Sequence, residues 1–202
     1  MNFDDLPKYV INLSKRTDRW QEFTRDAQIL GLTNYKRFNG YEVDKAPEGW
    51  RRGKYGCYLS HSALWQVCLD LGEPIVIFED DAIPTRRVFI PDIPEQVDFL
   101  YLGANDNSHG TEKGEIVAEY KEPTNKIAYL KRAKKIFANH AYICFPSGAE
   151  KALKLKARYA TDLTLWGVFS EGHTYYISPS IFKQRPSFSD NEGKFCNHFN
   201  IT

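Results

Sequence analysis

A run of apolar residues that ends on three carboxylates, Ile75-Val-Ile-Phe-Glu-Asp-Asp81, constrains this chain more than any other segment. Residues 75–78 show no polar alternation, so the pattern predicts a strand covered on both faces rather than one with a wet side. Such a strand needs helices above and below it, and the flanking sequence offers them. Trp20, Phe23, Ala27 and Leu30 recur at three- and four-residue steps, which predicts a helix over 18–30 stopped by Gly31. Leu59, Ala63, Leu64, Val67, Cys68 and Leu71 form a second stripe, a helix over 58–71 ended by Gly72. Lys8 to Leu13 and Tyr35 to Phe38 read as short strands. Between them and the second helix, 39–54 reads as a loop holding Gly40, Pro47, Gly49 and Gly53. Phe99 to Leu102 is a further buried strand, 103–115 a polar loop, 116–145 a β-rich stretch and 175–178 a late strand. Ser147 and Glu150 have the spacing of a capping box, which opens a helix at Ser147 that runs to about Arg158. Strands alternating with helices give an α/β fold with a mostly parallel central sheet. The 202 residues suit a single domain, 1–202.

In open α/β sheets, ligands bind outside the carboxyl ends of the strands, which is where Glu79, Asp80 and Asp81 stand. Three adjacent carboxylates repel one another and lose hydration there. A divalent cation relieves both, and oxygen ligands suit Mg²⁺ or Mn²⁺. Alternation along an extended chain places Glu79 and Asp81 on one side, as metal ligands, and Asp80 on the other. Without a cation the same triplet is a solvated acidic turn. A carboxylate-held metal suits a substrate with phosphates, because it neutralises a diphosphate leaving group. Arg16 and Arg19, just after the first strand, are placed to pair with such phosphates or to solvate the start of a helix. No G-x-x-x-x-G-K segment supports a P-loop.

Lys and Arg number 27 against 26 Asp and Glu, whereas a purely electrostatic nucleic-acid binder is more basic. Aromatic residues make up 14%, which suits stacking on rings or sugars. Met1 to Pro7 holds Asp4 and Asp5 and no apolar h-region of a secretory signal, and no apolar run approaches the roughly 20 residues of a spanning helix. Cys57, Cys68, Cys144 and Cys196 form no C-x-x-C pair and read as free thiols of a reducing compartment. The expected location is cytoplasmic, the host cytoplasm if the chain is viral.

Several segments, in order, resemble glycosyltransferase family 25, the lipooligosaccharide-biosynthesis type that includes collagen galactosyltransferases. They are Tyr9-Val-Ile-Asn-Leu-Ser-Lys-Arg-Thr-Asp-Arg19, Phe38-Asn-Gly40, Gly56-Cys-Tyr-Leu-Ser-His61 with Leu64-Trp65, Ile77-Phe-Glu-Asp-Asp-Ala82, Tyr101-Leu-Gly103, Ala141-Tyr-Ile with Gly148-Ala149, and Pro179-Ser180, Gln184 and Ser189-Asp190. The resemblance implies a Rossmann-like GT-A type domain. It also implies a UDP-sugar donor, UDP-glucose or UDP-galactose, with Mn²⁺ or Mg²⁺ and inversion at the anomeric carbon. By position, Glu79 and Asp81 take the metal. Asn12, Leu13, Arg16 and Arg19 lie near the nucleotide. Ser60, His61 and Asp80 join the donor side, and Asp190 is a late donor or metal contact or a surface carboxylate. His61 taken alone is equally a hydrogen-bonded core histidine.

An inverting transfer needs a general base near the acceptor hydroxyl. Asp162, in Thr161-Asp-Leu-Thr-Leu-Trp166, is the candidate, with Asp81 the other catalytic carboxylate through its metal; Asp162 also suits the N-cap of a short helix over 163–169. Lys126, Lys131, Arg132, Lys134, Lys135, Lys151, Lys154, Lys156 and Arg158 make 126–158 basic. A basic face suits a polyanionic acceptor. One option is a lipooligosaccharide-type saccharide; another is DNA carrying hydroxymethylated pyrimidines, extruded into an aromatic pocket. A non-catalytic nucleotide-sugar module and a nucleic-acid-binding module are the readings outside enzyme chemistry. The oligomeric state is left open.

Overall fold

The computed structural model describes residues 1–104, 114–137, 139–189 and 194–196, the segments 187–189 and 194–196 by their backbone. The apolar run forms strand β3 (Ile75–Glu79). It follows β1 (Lys8–Asn12), α1 (Thr17–Ile29), β2 (Tyr35–Asn39) and α2 (Arg52–Leu71). Then come β4 (Ala82–Pro84), β5 (Phe99–Tyr101), the hairpin β6 (Glu115–Lys121) and β7 (Ile127–Arg132), and β8 (Ala141–Cys144). The last elements are α3 (Pro146–Lys154), α4 (Thr161–Phe169), β9 (Thr174–Ser178), β10 (Phe182–Gln184), β11 (Ser187–Ser189) and β12 (Lys194–Cys196).

Eight strands form one sheet in the order β2-β1-β3-β8-β5-β9-β7-β6. β1, β2, β3, β5, β6 and β9 point one way, and β7 and β8 run against them. The sheet is thus mostly parallel in strand direction, although the two reversed strands make four of its pairings antiparallel. β3 lies between β1 and β8, and Ile75 to Phe78 are all fully buried, as the unalternating run predicts. Its side chains feed two cores. Val76 and Phe78 join Val10, Phe23 and Ala27 under α1. Ile75 and Ile77 join Leu64, Trp65, Tyr142, Ala149 and Leu165 under α2, α3 and α4. The α/β expectation therefore holds, with helices on both faces of the sheet.

α2 starts at Arg52, six residues before the stripe predicts, and takes Gly53 and Gly56 into its first turns. These glycines are not breakers here. A Cβ on Gly56 would sit 2.3 Å from the Tyr41 carbonyl oxygen, so the residue lets the helix pass the chain that follows β2. Ala in place of Gly56 gains up to about 1 kcal/mol of helix propensity but collides with backbone. We expect a net loss of about 1–3 kcal/mol from overpacking, read as a lower urea midpoint; an unchanged midpoint would show that α2 can move off residue 41. The far end of α2 matches the prediction: Gly72 has φ 67° and its N–H reaches the Cys68 and Leu69 carbonyls.

The capping box does not form. Phe145, not Ser147, is the N-cap and Pro146 takes the first helical position, where its fixed φ starts the helix two residues early. Ser147 is drawn into the first turn and donates to the Val97 carbonyl at 3.1 Å, and Glu150 pairs with Lys154 at 2.6 Å. α3 ends at Lys154 because Leu155 is extended, short of Arg158. The expected loop over 103–115 lies largely outside the described residues, and so does Asp190.

Candidate active site

β1, β2 and β3 are parallel neighbours and end on the same edge. Their carboxyl ends open into a cleft of about 640 Å³. Leu13, Lys15 and Arg19 line it from the β1–α1 segment, Tyr41, Glu42 and Asp44 from the chain after β2, and Arg51, Arg52, Cys57 and Ser60 from α2. Glu79, Asp80 and Asp81 line it from the end of β3, and Gln184 from β10. The volume is that of a small-molecule site.

The three carboxylates have three different environments. β3 ends at Glu79, and Asp80 and Asp81 form a turn into β4, so strand alternation does not extend past Glu79. Asp80 faces α1. Its Oδ1 accepts from Arg19 Nη1 at 2.7 Å and its Oδ2 from Asn12 Nδ2 at 2.6 Å, and the carboxylate is nearly buried. Asn12 is held in turn, its Oδ1 accepting from Arg37 Nε at 2.8 Å. Burial pushes the Asp80 carboxyl up, and the Arg19 charge opposes that without cancelling it.

Asp81 lies 3.9 Å from Arg19 Nη1, and its Oδ2 accepts from Gln184 Nε2 at 3.1 Å. Its Oδ1 is buried and meets no hydrogen-bond donor among the described residues. Burial, then the charges of Glu79 and Asp80, push its pKa up to about 7. A buried carboxylate oxygen with no donor, beside two more carboxylates and a single guanidinium, fits a divalent cation better than solvent.

Glu79 faces the opposite core. Its Oε1 lies 3.1 Å from His61 Nε2, while His61 Nδ1 lies 2.8 Å from the Tyr142 hydroxyl. That hydroxyl accepts from Trp65 Nε1 at 3.0 Å. An ionised carboxylate only accepts, so the imidazole donates Nε2–H to Glu79, and its Nδ1 then accepts the Tyr142 proton while that oxygen accepts from the indole. This assigns the tautomer from the network. Burial raises the Glu79 carboxyl, but the hydrogen bond from His61 and the electrostatics of its surroundings, the Arg19 charge among them, outweigh it and leave the group below the ordinary value.

The structure thus brings Leu13, Arg19, Ser60, Glu79, Asp80 and Asp81 to one cleft, with His61 and Asn12 behind the carboxylates. Arg16 pairs with the exposed Asp18 at 2.8 Å instead and holds that carboxyl down to about 2. Asp162 stands in the first turn of α4, where Ala160 is the N-cap; its Oδ1 accepts from the Leu163 N–H at 2.9 Å, and burial raises its carboxyl. It feels the charges of Lys54 and Glu79 but does not line this cleft. None of the basic residues of 126–158 lines it either. Lys131, Arg132 and Lys135 lie over the rings of Tyr176, Tyr175 and Trp166, and Lys151 and Lys154 are paired with acids. Sequence reasoning missed Lys15, Arg51 and Arg52, which it left in unassigned loop and helix start, and it missed Cys57. A signal for Cys57 existed: it precedes His61 by four residues and so shares a helix face with it.

Residues 5–165 match glycosyltransferase family 25 (LPS biosynthesis protein). Mouse procollagen galactosyltransferase 2 is 28% identical over 40% of this chain, and the chain spans 16% of that protein's length. Among solved structures, the catalytic domain of Drosophila β1,4-galactosyltransferase 7 with xylobiose is similar at a TM-score of 0.49 and 11% identity, over 96% of this chain and 70% of that one. A mutant of the same enzyme with manganese, UDP-Gal and xylobiose gives a TM-score of 0.46 at 10% identity, with the same coverage. The family match runs from ahead of β1 into α4. It takes in the Tyr9–Arg19, Gly56–Trp65, Ile77–Ala82 and Ala141–Ala149 segments and spans most of the sequence, and the chain belongs to glycosyltransferase family 25.

Proposed function

We propose that this protein is an inverting, metal-dependent glycosyltransferase of GT-A type, with 1–202 working as one domain. It moves a hexose from a UDP-sugar to a hydroxyl of a saccharide acceptor. The observation that carries this reading is the buried Oδ1 of Asp81, which meets no donor among the described residues, at the end of β3 beside Glu79 and Asp80 in a cleft also lined by Lys15, Arg19, Arg51 and Arg52. Acidic and basic groups in one cavity suit a diphosphate and the cation that accompanies it. Asp81 and Glu79 would hold Mn²⁺ or Mg²⁺, which when bound neutralises the diphosphate and makes it a better leaving group.

The protein's own residues do the rest. Asp80 does not reach for the donor: both its oxygens are engaged, and it fixes Arg19 at the cleft and Asn12 behind it. Arg19, Lys15, Arg51 and Arg52 orient the diphosphate oxygens. The Trp65–Tyr142–His61 relay fixes the Glu79 carboxylate in place. Asp162 is the proposed general base, and its raised pKa moves it towards the range a base needs. It takes the acceptor hydroxyl's proton as that oxygen attacks the anomeric carbon and the carbon–oxygen bond to UDP breaks. The mouse relative is named a galactosyltransferase, which makes UDP-galactose the first donor to test. None of the basic residues of 126–158 lines the cleft, so that stretch lends hydroxymethylated DNA no support there, and a saccharide is the first acceptor to test.

UDP release measured with Mn²⁺ across a panel of UDP-sugars, with lipooligosaccharide fragments, with hydroxymethylated DNA and with no acceptor, tests this reading. We expect metal-dependent release that a saccharide stimulates. Stimulation by DNA alone would replace the acceptor, and absence of UDP binding by calorimetry would overturn the donor class.

A further inference from the structure

We propose that Cys57, His61 and Glu79 form a second metal site, distinct from the oxygen-ligand site at Asp81, that takes a thiophilic divalent cation such as Zn²⁺. One ligand atom from each lies within 4.8 Å of the other two. Cys57 Sγ is 3.8 Å from Glu79 Oε1, and His61 Nε2 is 3.1 Å from the same oxygen. Ligand atoms of a tetrahedral zinc site, bound at about 2.0–2.3 Å, are separated by similar distances, so the set needs little movement to close on an ion. Cys57 and His61 are one helical turn apart on α2, and Glu79 ends the strand beneath them, so the three ligands sit on rigid elements.

The surroundings fit as well. Metal binding needs the Nε2 lone pair, hence the Nδ1–H tautomer. The Tyr142 oxygen lies 2.8 Å from Nδ1 and can accept from it and from Trp65 together, so the switch keeps both contacts and supplies the outer hydrogen bond a metal-bound histidine needs. Cys57 is in no disulfide and releases its proton on binding. Cys57 and Glu79 also line the cleft, which gives the ion an entry path and leaves a fourth position open. Thiolate and imidazole select zinc or cobalt, whereas Mn²⁺ prefers carboxylate oxygens. An ion here takes Glu79 from the other metal, so zinc inhibits manganese-supported transfer; that consequence, unlike the site itself, rests on the proposed function.

Cobalt titration of the full chain, without donor or acceptor, tests the site. We expect a thiolate-to-cobalt charge-transfer band in the near ultraviolet with strong visible bands of a four-coordinate ion, removed by one equivalent of zinc. Cys57→Ser should lose the charge-transfer band and weaken zinc binding at least about a hundredfold, more than loss of an outer-shell partner, with its circular dichroism unchanged. His61→Gln should weaken cobalt binding while Asp81→Asn keeps the band. No band in the parent, a band that survives Cys57→Ser, or a band lost in Asp81→Asn would overturn the proposal. Because no turnover is read, silence in the UDP-release assay leaves this result standing.

Discussion

If Asp81 holds the ion of the proposed function, Asp81→Asn should lower kcat/KM for sugar transfer at least about a thousandfold, because several kcal/mol of charge stabilisation at the leaving diphosphate would go with that ion. The substitution is nearly isosteric, and Gln184 can still donate to the new side-chain oxygen. The same change should not weaken the metal-free protein. Asp81 is buried beside Glu79 and Asp80, which is why its pKa is pushed up to about 7, and removing its charge relieves that repulsion. At pH 8 the variant should therefore unfold at or above the parent's midpoint while Mn²⁺-dependent UDP binding weakens. Full transfer activity would remove Asp81 from the metal site. A large loss of stability would mean that the carboxylate is needed to hold the turn rather than the ion.

Arg19 carries the opposite expectation. Its Nη1 reaches Asp80 at 2.7 Å and Asp81 at 3.9 Å, and both carboxylates are nearly buried. Arg19→Met leaves the Asp80 charge with the Asn12 amide and no cation beside it. Breaking one partner of a buried pair costs about 3–5 kcal/mol, and urea unfolding should show a loss of that size. Adding Asp80→Asn in the same chain should return most of it, since the uncompensated charge is then gone. A loss below about 1 kcal/mol, the level of an exposed pair, would mean that solvent reaches this pair freely.

The sequence carries β3 and the carboxylates plainly, because a run with no polar alternation has few other places to go. α1 and the αL stop at Gly72 are equally legible, since stripe period and glycine position are local signals. The start of α2 is not. Gly53 reads as the end of the 39–54 loop, and Gly56 stands ahead of the apolar stripe, where only the Tyr41 carbonyl passing close to the helix explains it. Ser147 and Glu150 satisfy a capping pattern that Pro146 pre-empts by starting the helix two residues earlier. At the site, the acidic residues and Arg19 could be found from their place after strands. The division of labour among them could not, because Asp80 is claimed by Asn12 and Arg19, and Glu79 by a histidine whose orientation depends on Tyr142, eighty-one positions away from it. Such tertiary partners leave no mark at the residue itself.

β9 enters the sheet between β5 and β7, both of which precede it in the chain by more than forty residues. A ribosome delivering this polypeptide from its amino end therefore presents two unpaired strand edges before the piece that joins them exists. The β6–β7 hairpin cannot be stitched to the rest until β9 is made, and Gln184, which steadies Asp81, follows later still. Such long-range pairings fold slowly and leave exposed edges open to aggregation in the meantime. During translation, then, the carboxylates are synthesised early, but the cleft they line is completed last, after the late strand has closed the sheet.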